Sequence, residues 1–405
     1  MSRFNRLLRF TVVLILIIFF ISHKIISKKQ YQHVLDLQSK LANTKYDINS
    51  QLNIHDSASQ EKIIYKDSTN DLKNYQRANA TFFTLAKNED LIEMGKTIRS
   101  VEDRFNKKFH YDWIFFNNQE FSPDFKRTMN NLCSGNVKFE IIPQEFWSYP
   151  DWIDKERAKQ VRISSRTDII YGGSETYRFM CRFFSGFFYK LESLQKYDYA
   201  WRVEPETTFH CDINYDVFQY MVSNNKHYGF TISLHEFANT IPTLWENVKK
   251  FIEFYPHFIN PNNLIDFLSD DHGETYNLCH FWTNFEIVNL NFLRSEAYET
   301  FFNYLDKANG FFYERWGDAP VHSIAVALFL NKEQIHYFED IGYYHKPASN
   351  CPINDDVWKE NNCLCDQWMD VTFRPFSCTP KFYDLLKLKK PDNWKEHAAM
   401  AQLGE

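Results

Sequence analysis

An α/β domain with parallel strands flanked by helices is the fold class that this 405-residue sequence predicts. Three observations lead there. Strand-like and helix-like segments succeed one another at 80–117 as a βαβ unit, which implies a parallel pair. A short apolar run, YDYAWRV (197–203), ends abruptly on Glu204-Pro205-Glu206. The alternation then continues to residue 340 without any internal repeat.

The elements follow in order. ATFFTLA (80–86) reads as a strand, and Asn88-Glu89-Asp90 supplies an N-cap and first-turn acids for a helix. Leu91, Met94, Ile98, Val101 and Phe105 repeat at helical spacing. YDWIFFN (111–117) and VKFEII (137–142) are further strands, and 174–195 is a long helical stretch. YDYAWRV has the apolar character of a strand covered on both faces. Pro205 cannot donate to a sheet ladder, so that strand should stop before it. YGFTIS (228–233), FEIVNLNFL (285–293) and IHYFED (335–340) read as strands. The spans 295–308 and 319–330 read as helices, the second with Asp318 as N-cap and Pro320 in its first turn.

Ahead of this body lies a different composition. Arg3, Arg6 and Arg9 precede a mainly apolar run from Phe10 to Ile21, and no small-residue cleavage site follows. The pattern predicts a cytoplasmic tail (1–9), an uncleaved signal anchor (10–26), a polar stem (27–77) and a body at 78–405. The anchor is short and suits the thinner membranes of the early secretory pathway. Basic residues nearly balance across it. The orientation rests instead on the sequon Asn79-Ala80-Thr81 and on the cysteines, which place the body in the lumen. All eight cysteines lie after residue 130, with Cys351, Cys363, Cys365 and Cys378 crowded near the C-terminus. Disulfides are the expectation there, and a zinc site is the alternative. A net charge of −6 without a long basic run argues against nucleic acid as a partner.

Few residues point to chemistry. Glu204 and Glu206 fall at the carboxyl end of a central strand, the edge where open α/β sheets bind ligands, although solvated strand-end charges would read the same. Paired carboxylates suit a hard divalent cation, and Mn²⁺ also accepts an imidazole such as His345, placed beyond a later strand end. Glu286 sits among Phe281, Trp282, Phe285 and Ile287, which predicts a buried carboxylate. Such a group is either a site residue or a core glutamate bonded to nearby backbone. Asp318 is accounted for as a helix cap, and position alone gives Tyr177 no role beyond its helix. No P-loop, GxGxxG, HExxH or GxSxG motif is present.

Several longer stretches carry a resemblance. RANATFFTLAKNEDL, YGGSETYRFMCRFFSGFF, YDYAWRVEPE, YNLCHFWTNFEIVNLNFLRSEAY and FFYERWGDAPVHSIAVALFL with IGYYHKPASNCP resemble the fungal Golgi α-1,2-mannosyltransferases of glycosyltransferase family 15, the KTR type. They run in family order from about Arg77 to Cys365. The resemblance implies a GT-A, Rossmann-like fold with a mixed, mostly parallel sheet, and a type II Golgi membrane protein with a luminal catalytic domain. It implies Mn²⁺, GDP-mannose as donor, mannose-terminated O- or N-linked glycans as acceptors, and transfer with retention. Glu204 and His345 match the metal ligands, Glu286 the proposed nucleophile or charge stabiliser, and Tyr177 and Asp318 residues that position the reactants. Arg202 and Lys87 match positions near the GDP. Lys87 stands where relatives often have Arg, losing the bidentate fork, and Glu206 stands where they often have Asp. A metal-assisted glycoside hydrolase using Glu204 and Glu286, and a catalytically silent mannan-binding subunit, are the alternative functions.

Overall fold

The computed structural model describes residues 75–400. The expected tail and anchor, and nearly all of the stem, lie outside them. Among the described residues no helix is long and apolar enough to cross a membrane.

Strands run Ala80–Leu85 (β1), Asp112–Asn117 (β2), Val137–Ile141 (β3), Tyr199–Arg202 (β4), Thr208–Phe209 (β5), Tyr228–Phe230 (β6), Ser233–His235 (β7), Cys279–Phe281 (β8), Glu286–Asn289 (β9), Ile335–Tyr337 (β10), Tyr343–His345 (β11) and Ala348–Asn350 (β12). Seven form the main sheet in the order β10-β6-β9-β4-β1-β2-β3, with β4 at its centre. All neighbours are parallel except β9, which runs antiparallel to β4 and β6. This is the mixed, mostly parallel sheet that the resemblance implies. Smaller sheets are β12-β11-β5 and β7-β8.

Alternation along each strand builds two apolar layers. Phe82, Trp113, Phe115, Tyr199 and Trp201 face one side, and Phe83, Ile114, Phe116 and Ala200 the other. Helices Leu91–Val101 (α1) and Pro123–Leu132 (α2) cover the Phe82 side through Met94, Ile98, Val101, Phe125 and Met129. Helices Glu175–Gly186 (α3), Glu296–Lys307 (α4) and Asp318–Phe329 (α5) cover the Phe83 side. Rings do much of the packing: Phe82 lies 4.5 Å from Trp113 and 5.2 Å from Trp201, and Phe83 stacks on Phe188 at 4.9 Å. Such pairs add roughly 0.5–1.5 kcal/mol each beyond area burial.

Several elements depart from expectation. The helical stretch 174–195 stops at Gly186, and short 3₁₀ turns follow. A Cβ at Gly186 would lie 2.0 Å from the Phe302 ring, so the glycine permits close packing of α3 on α4. The chain then turns so that Phe188 reaches Phe83. FEIVNLNFL keeps strand form only to Asn289, whose side chain accepts from the Asn291 N–H at 2.9 Å and starts a short helix over Leu290–Leu293. YGFTIS divides between β6 and β7, which belong to different sheets. IHYFED is a strand only over its first three residues. Asn88 opens a 3₁₀ turn, and the α-helix starts at Leu91. Asp318 is the first residue of α5 rather than its cap, a position held by Gly317.

Two disulfides bind the C-terminal segment to the body, Cys211–Cys363 and Cys279–Cys378, and a third, Cys351–Cys365, closes a loop within that segment. All four crowded cysteines are thereby consumed, which removes the zinc alternative. Cys133 and Cys181 are free. The sequon is tightly engaged. Asn79 Nδ2 donates to the Lys196 carbonyl at 2.6 Å and to Asp198 Oδ2 at 3.1 Å, and Thr81 is buried, with its hydroxyl donating to the Asp112 carbonyl. A glycan on that nitrogen would leave one hydrogen for two acceptors.

Candidate active site

The site grows from the register of β4 against β9. Arg202, the last residue of β4, pairs with Glu286, the first of β9, so both side chains project to the same face, the one covered by α3 and α5. There the Arg202 guanidinium lies 3.5 Å from the centroid of the Phe184 ring. Its Nη1 donates to Asp318 Oδ2 at 2.6 Å, and its Nε donates to Glu204 Oε1 at 3.0 Å, with Nη2 turned to the same oxygen. Burial disfavours the Arg202 cation, but the Glu204 and Asp318 carboxylates outweigh it and raise its pKa. Burial likewise pushes Asp318 up, and Arg202 outweighs that, holding the carboxyl below the usual range. The Thr283 hydroxyl donates to the same Asp318 oxygen at 2.7 Å. Asp318 therefore spends its carboxylate on the site and not on capping.

Past Arg202 the chain turns away from the sheet as Pro205 requires. Glu206 adopts a left-handed conformation (φ 63°) and is exposed, and the Thr207 hydroxyl donates to the Glu204 carbonyl at 2.8 Å. β5 then pairs with β11, Phe209 opposite Tyr343 and Thr208 opposite Tyr344. One step further in this register brings His345 level with Thr207. His345 closes β11 instead of lying beyond a strand end. Its Nε2 stands 3.9 Å from Glu204 Oε2, the oxygen not bonded to Arg202. An octahedral dication with ligands at ~2.1 Å spaces its donor atoms by about 3 Å (adjacent) to about 4 Å (opposite). The two residues, 140-odd positions apart, thus fit one ion, and both remain about a quarter exposed. The mixed oxygen and nitrogen donor set suits Mn²⁺.

Glu286 is fully buried, as its neighbours predict, but it is not bonded to nearby backbone. Its Oε2 lies 2.8 Å from His322 Nδ1, and the buried Tyr228 phenol is a second hydrogen-bonding neighbour of the carboxylate. That phenol is held well above its ordinary pKa by burial and by the Glu286 charge.

The other expected residues spread outward. Tyr177 lies on the first turns of α3 within the field of Asp318, and burial lifts its phenol well above the ordinary value. Its hydroxyl is 3.4 Å from Arg315 Nη1, and its ring stacks 4.5 Å from the exposed Tyr171. Arg315 in turn pairs with Glu236 at 3.4 Å. Lys87 is exposed in the turn after β1, on the same sheet edge, and among the described residues its ammonium forms no ion pair with Glu204 or Asp318. Sequence reasoning missed His322, Thr283, Arg315 and Glu236. His322 had a signal: it stands four residues after Asp318 on a helix whose other residues are almost all apolar. Arg315, Glu236 and Thr283 come from separate loops and had none.

Comparison with known proteins agrees with this geometry. The sequence profile of the family described as glycolipid 2-alpha-mannosyltransferase matches residues 32–387. Glycolipid 2-alpha-mannosyltransferase 1 of Candida albicans is 59% identical over 321 residues, covering 79% of this chain and 74% of its own. The alpha-1,2 mannosyltransferase KTR1 of Saccharomyces cerevisiae is 54% identical over 336 residues, covering 82% and 86%. The crystal structure of core-mannan synthase A (CmsA/Ktr4) from Aspergillus fumigatus, in a Mn/GDP form, is similar with a TM-score of 0.72 and 40% identity, covering 77% of this chain and 86% of that one. With a buried Arg–Glu–Asp cluster at the carboxyl edge of a mixed sheet, and with these matches over most of its length, the chain belongs to the glycolipid 2-alpha-mannosyltransferase family.

Proposed function

We propose that this protein transfers mannose from GDP-mannose to a hydroxyl of a mannose-terminated O- or N-linked glycan, with retention and through an α-1,2 linkage. The observation that carries the reading is the pairing of Arg202 with Glu286 across β4 and β9, which sets an enclosed carboxylate beside the Glu204–His345 pair. The names of the relatives support transfer over hydrolysis. Against the silent-subunit alternative, Glu204, Glu286, Asp318 and His345 are all present and assembled.

Glu204 and His345 would hold Mn²⁺, whose charge offsets that growing on the leaving GDP. Arg202 fixes one Glu204 oxygen and leaves the other facing His345. Asp318 and Thr283 hold the arginine in turn. Glu286 acts on the sugar carbon as nucleophile or as charge stabiliser, and both routes need it ionised. Tyr177, backed by Arg315, would border the reactants, and the exposed Lys87 would meet the nucleotide from the end of β1. For location, the basic-flanked apolar run 10–26 and the three disulfides support a type II Golgi anchor with a luminal body.

The test uses the detergent-solubilised full-length chain with GDP-mannose, Mn²⁺ and a panel of mannosides. Transfer with α-1,2 linkage is expected, and Glu286→Gln should lower kcat by at least about 10³ while GDP still binds. Hydrolysis of mannosides without nucleotide sugar, or wild-type turnover in Glu286→Gln, would overturn the reading. In sealed vesicles the reaction should need detergent, because the body faces inward.

A further inference from the structure

The Glu286–His322 pair holds a proton whose position the surrounding bonds restrict. His322 is fully buried, and its Nε2 lies 2.9 Å from the main-chain carbonyl of Phe184. A carbonyl only accepts, so Nε2 carries a hydrogen. One proton between Nδ1 and Glu286 Oε2, 2.8 Å apart, then decides the state of both groups. On the imidazole it gives an imidazolium and a carboxylate. On the carboxyl it gives two neutral groups.

The charges facing the pair favour the first state. Asp318 lies one helical turn before His322 on α5, and Arg202 stands opposite Glu286 on β4. A carboxylate near His322 favours its cation, and a guanidinium near Glu286 favours its anion. The other titratable neighbours are Tyr228 on β6 and Tyr298 on α4, whose phenols burial keeps protonated, and a protonated Tyr228 phenol beside Glu286 also favours the carboxylate. Burial pulls the His322 pKa down, but Glu286 outweighs it and the balance is upward.

We propose that His322 is a positioning residue for mannosyl transfer: its Nδ1–H pins Glu286 Oε2, and its positive charge keeps Glu286 a carboxylate. This rests on the role given to Glu286 above. His322→Asn removes the charge but keeps a side-chain donor. A buried carboxyl without a counter-charge favours its neutral form, so loss of the imidazolium should move the acid limb of the kcat–pH profile upward.

The experiment compares kcat–pH profiles of the full-length wild type and His322→Asn in detergent, with GDP affinity measured in parallel. The expected result is an acid limb about one pH unit or more higher, kcat lower by about tenfold at pH 6 and recovering as pH rises, and GDP affinity within about twofold. A kcat lowered equally at every pH, or an unchanged profile, would overturn the assignment. A second measurement stands if His322→Asn fails to fold. In ¹⁵N-histidine spectra at pH 7, the histidine whose signal changes in Glu286→Gln should carry protons on both nitrogens in the wild type. A neutral ring there would overturn the proposal. Absence of transfer by the wild type would instead count against the transferase reading, and the nitrogen spectra would still decide the state of the pair.

Discussion

Asp318 and Asp370 are buried to nearly the same degree, yet their carboxyls shift in opposite directions. Asp318 has the Arg202 guanidinium at 2.6 Å and falls below the usual range despite its burial. Asp370 accepts from the Cys351 and Thr372 N–H groups and the Thr372 hydroxyl, but has no such ion pair, and burial raises it to about 7. The linkage has a definite sign. Between the unfolded carboxyl value of 3.8 and about 7, the folded chain binds a proton that the unfolded chain does not. Stability should therefore fall as pH rises through that window and then level off. Asp370→Asn should flatten this slope and stabilise the protein at pH 8 by up to a few kcal/mol. Thermal midpoints of the two proteins from pH 4 to pH 8 check it, and parallel curves would contradict it. At this scale the sequence was partly readable. Glu286 betrayed its burial through apolar neighbours. For Asp318 the local pattern gives only a cap, and the family resemblance alone gives it a site role, because a sequence shows the helix start but not the arginine more than a hundred positions upstream that claims the carboxylate.

Among the elements, the central strands were legible because both faces are covered, which leaves short runs of nearly continuous apolar residues. Their ends were less so. Side-chain events decide them, such as the Asn289 cap that stops β9 and the close packing that Gly186 allows. The β5-β11-β12 sheet was not legible at all. Its strands are two or three residues long, and its alignment depends on partners far away in the chain. That sheet carries His345, and Cys211–Cys363 braces it at the exit of β5. Replacing both cysteines by serine should lower stability by about 2–5 kcal/mol. It should also raise the Mn²⁺ concentration needed for half-maximal transfer, while saturating Mn²⁺ restores kcat. A manganese titration superimposable on wild type would show that the bridge plays no part in placing His345.

For the whole molecule, the acidic balance of the chain and the position of the site have one logic. A protein with net charge −6 that handles a nucleoside diphosphate needs local positive charge. At the carboxyl edge of β4 the buried arginine is already matched by Glu204 and Asp318, so that charge would come from a cation held by the open Glu204–His345 pair. The architecture and most of this site could be anticipated from the sequence, since the strand that delivers Arg202 and Glu204 announces itself. The His322 support and the Arg315–Glu236 pair behind Tyr177 could not, because long-range packing alone brings them there.

The proposed chemistry requires Glu204 and His345 to share one divalent ion. Calorimetric titration of Mn²⁺ into the full-length protein in detergent, with GDP present, tests it most directly. One ion per chain is predicted, with Glu204→Ala and His345→Ala each weakening its binding at least tenfold, about 1.4 kcal/mol. Wild-type affinity in either variant would mean that the ion is held by other residues.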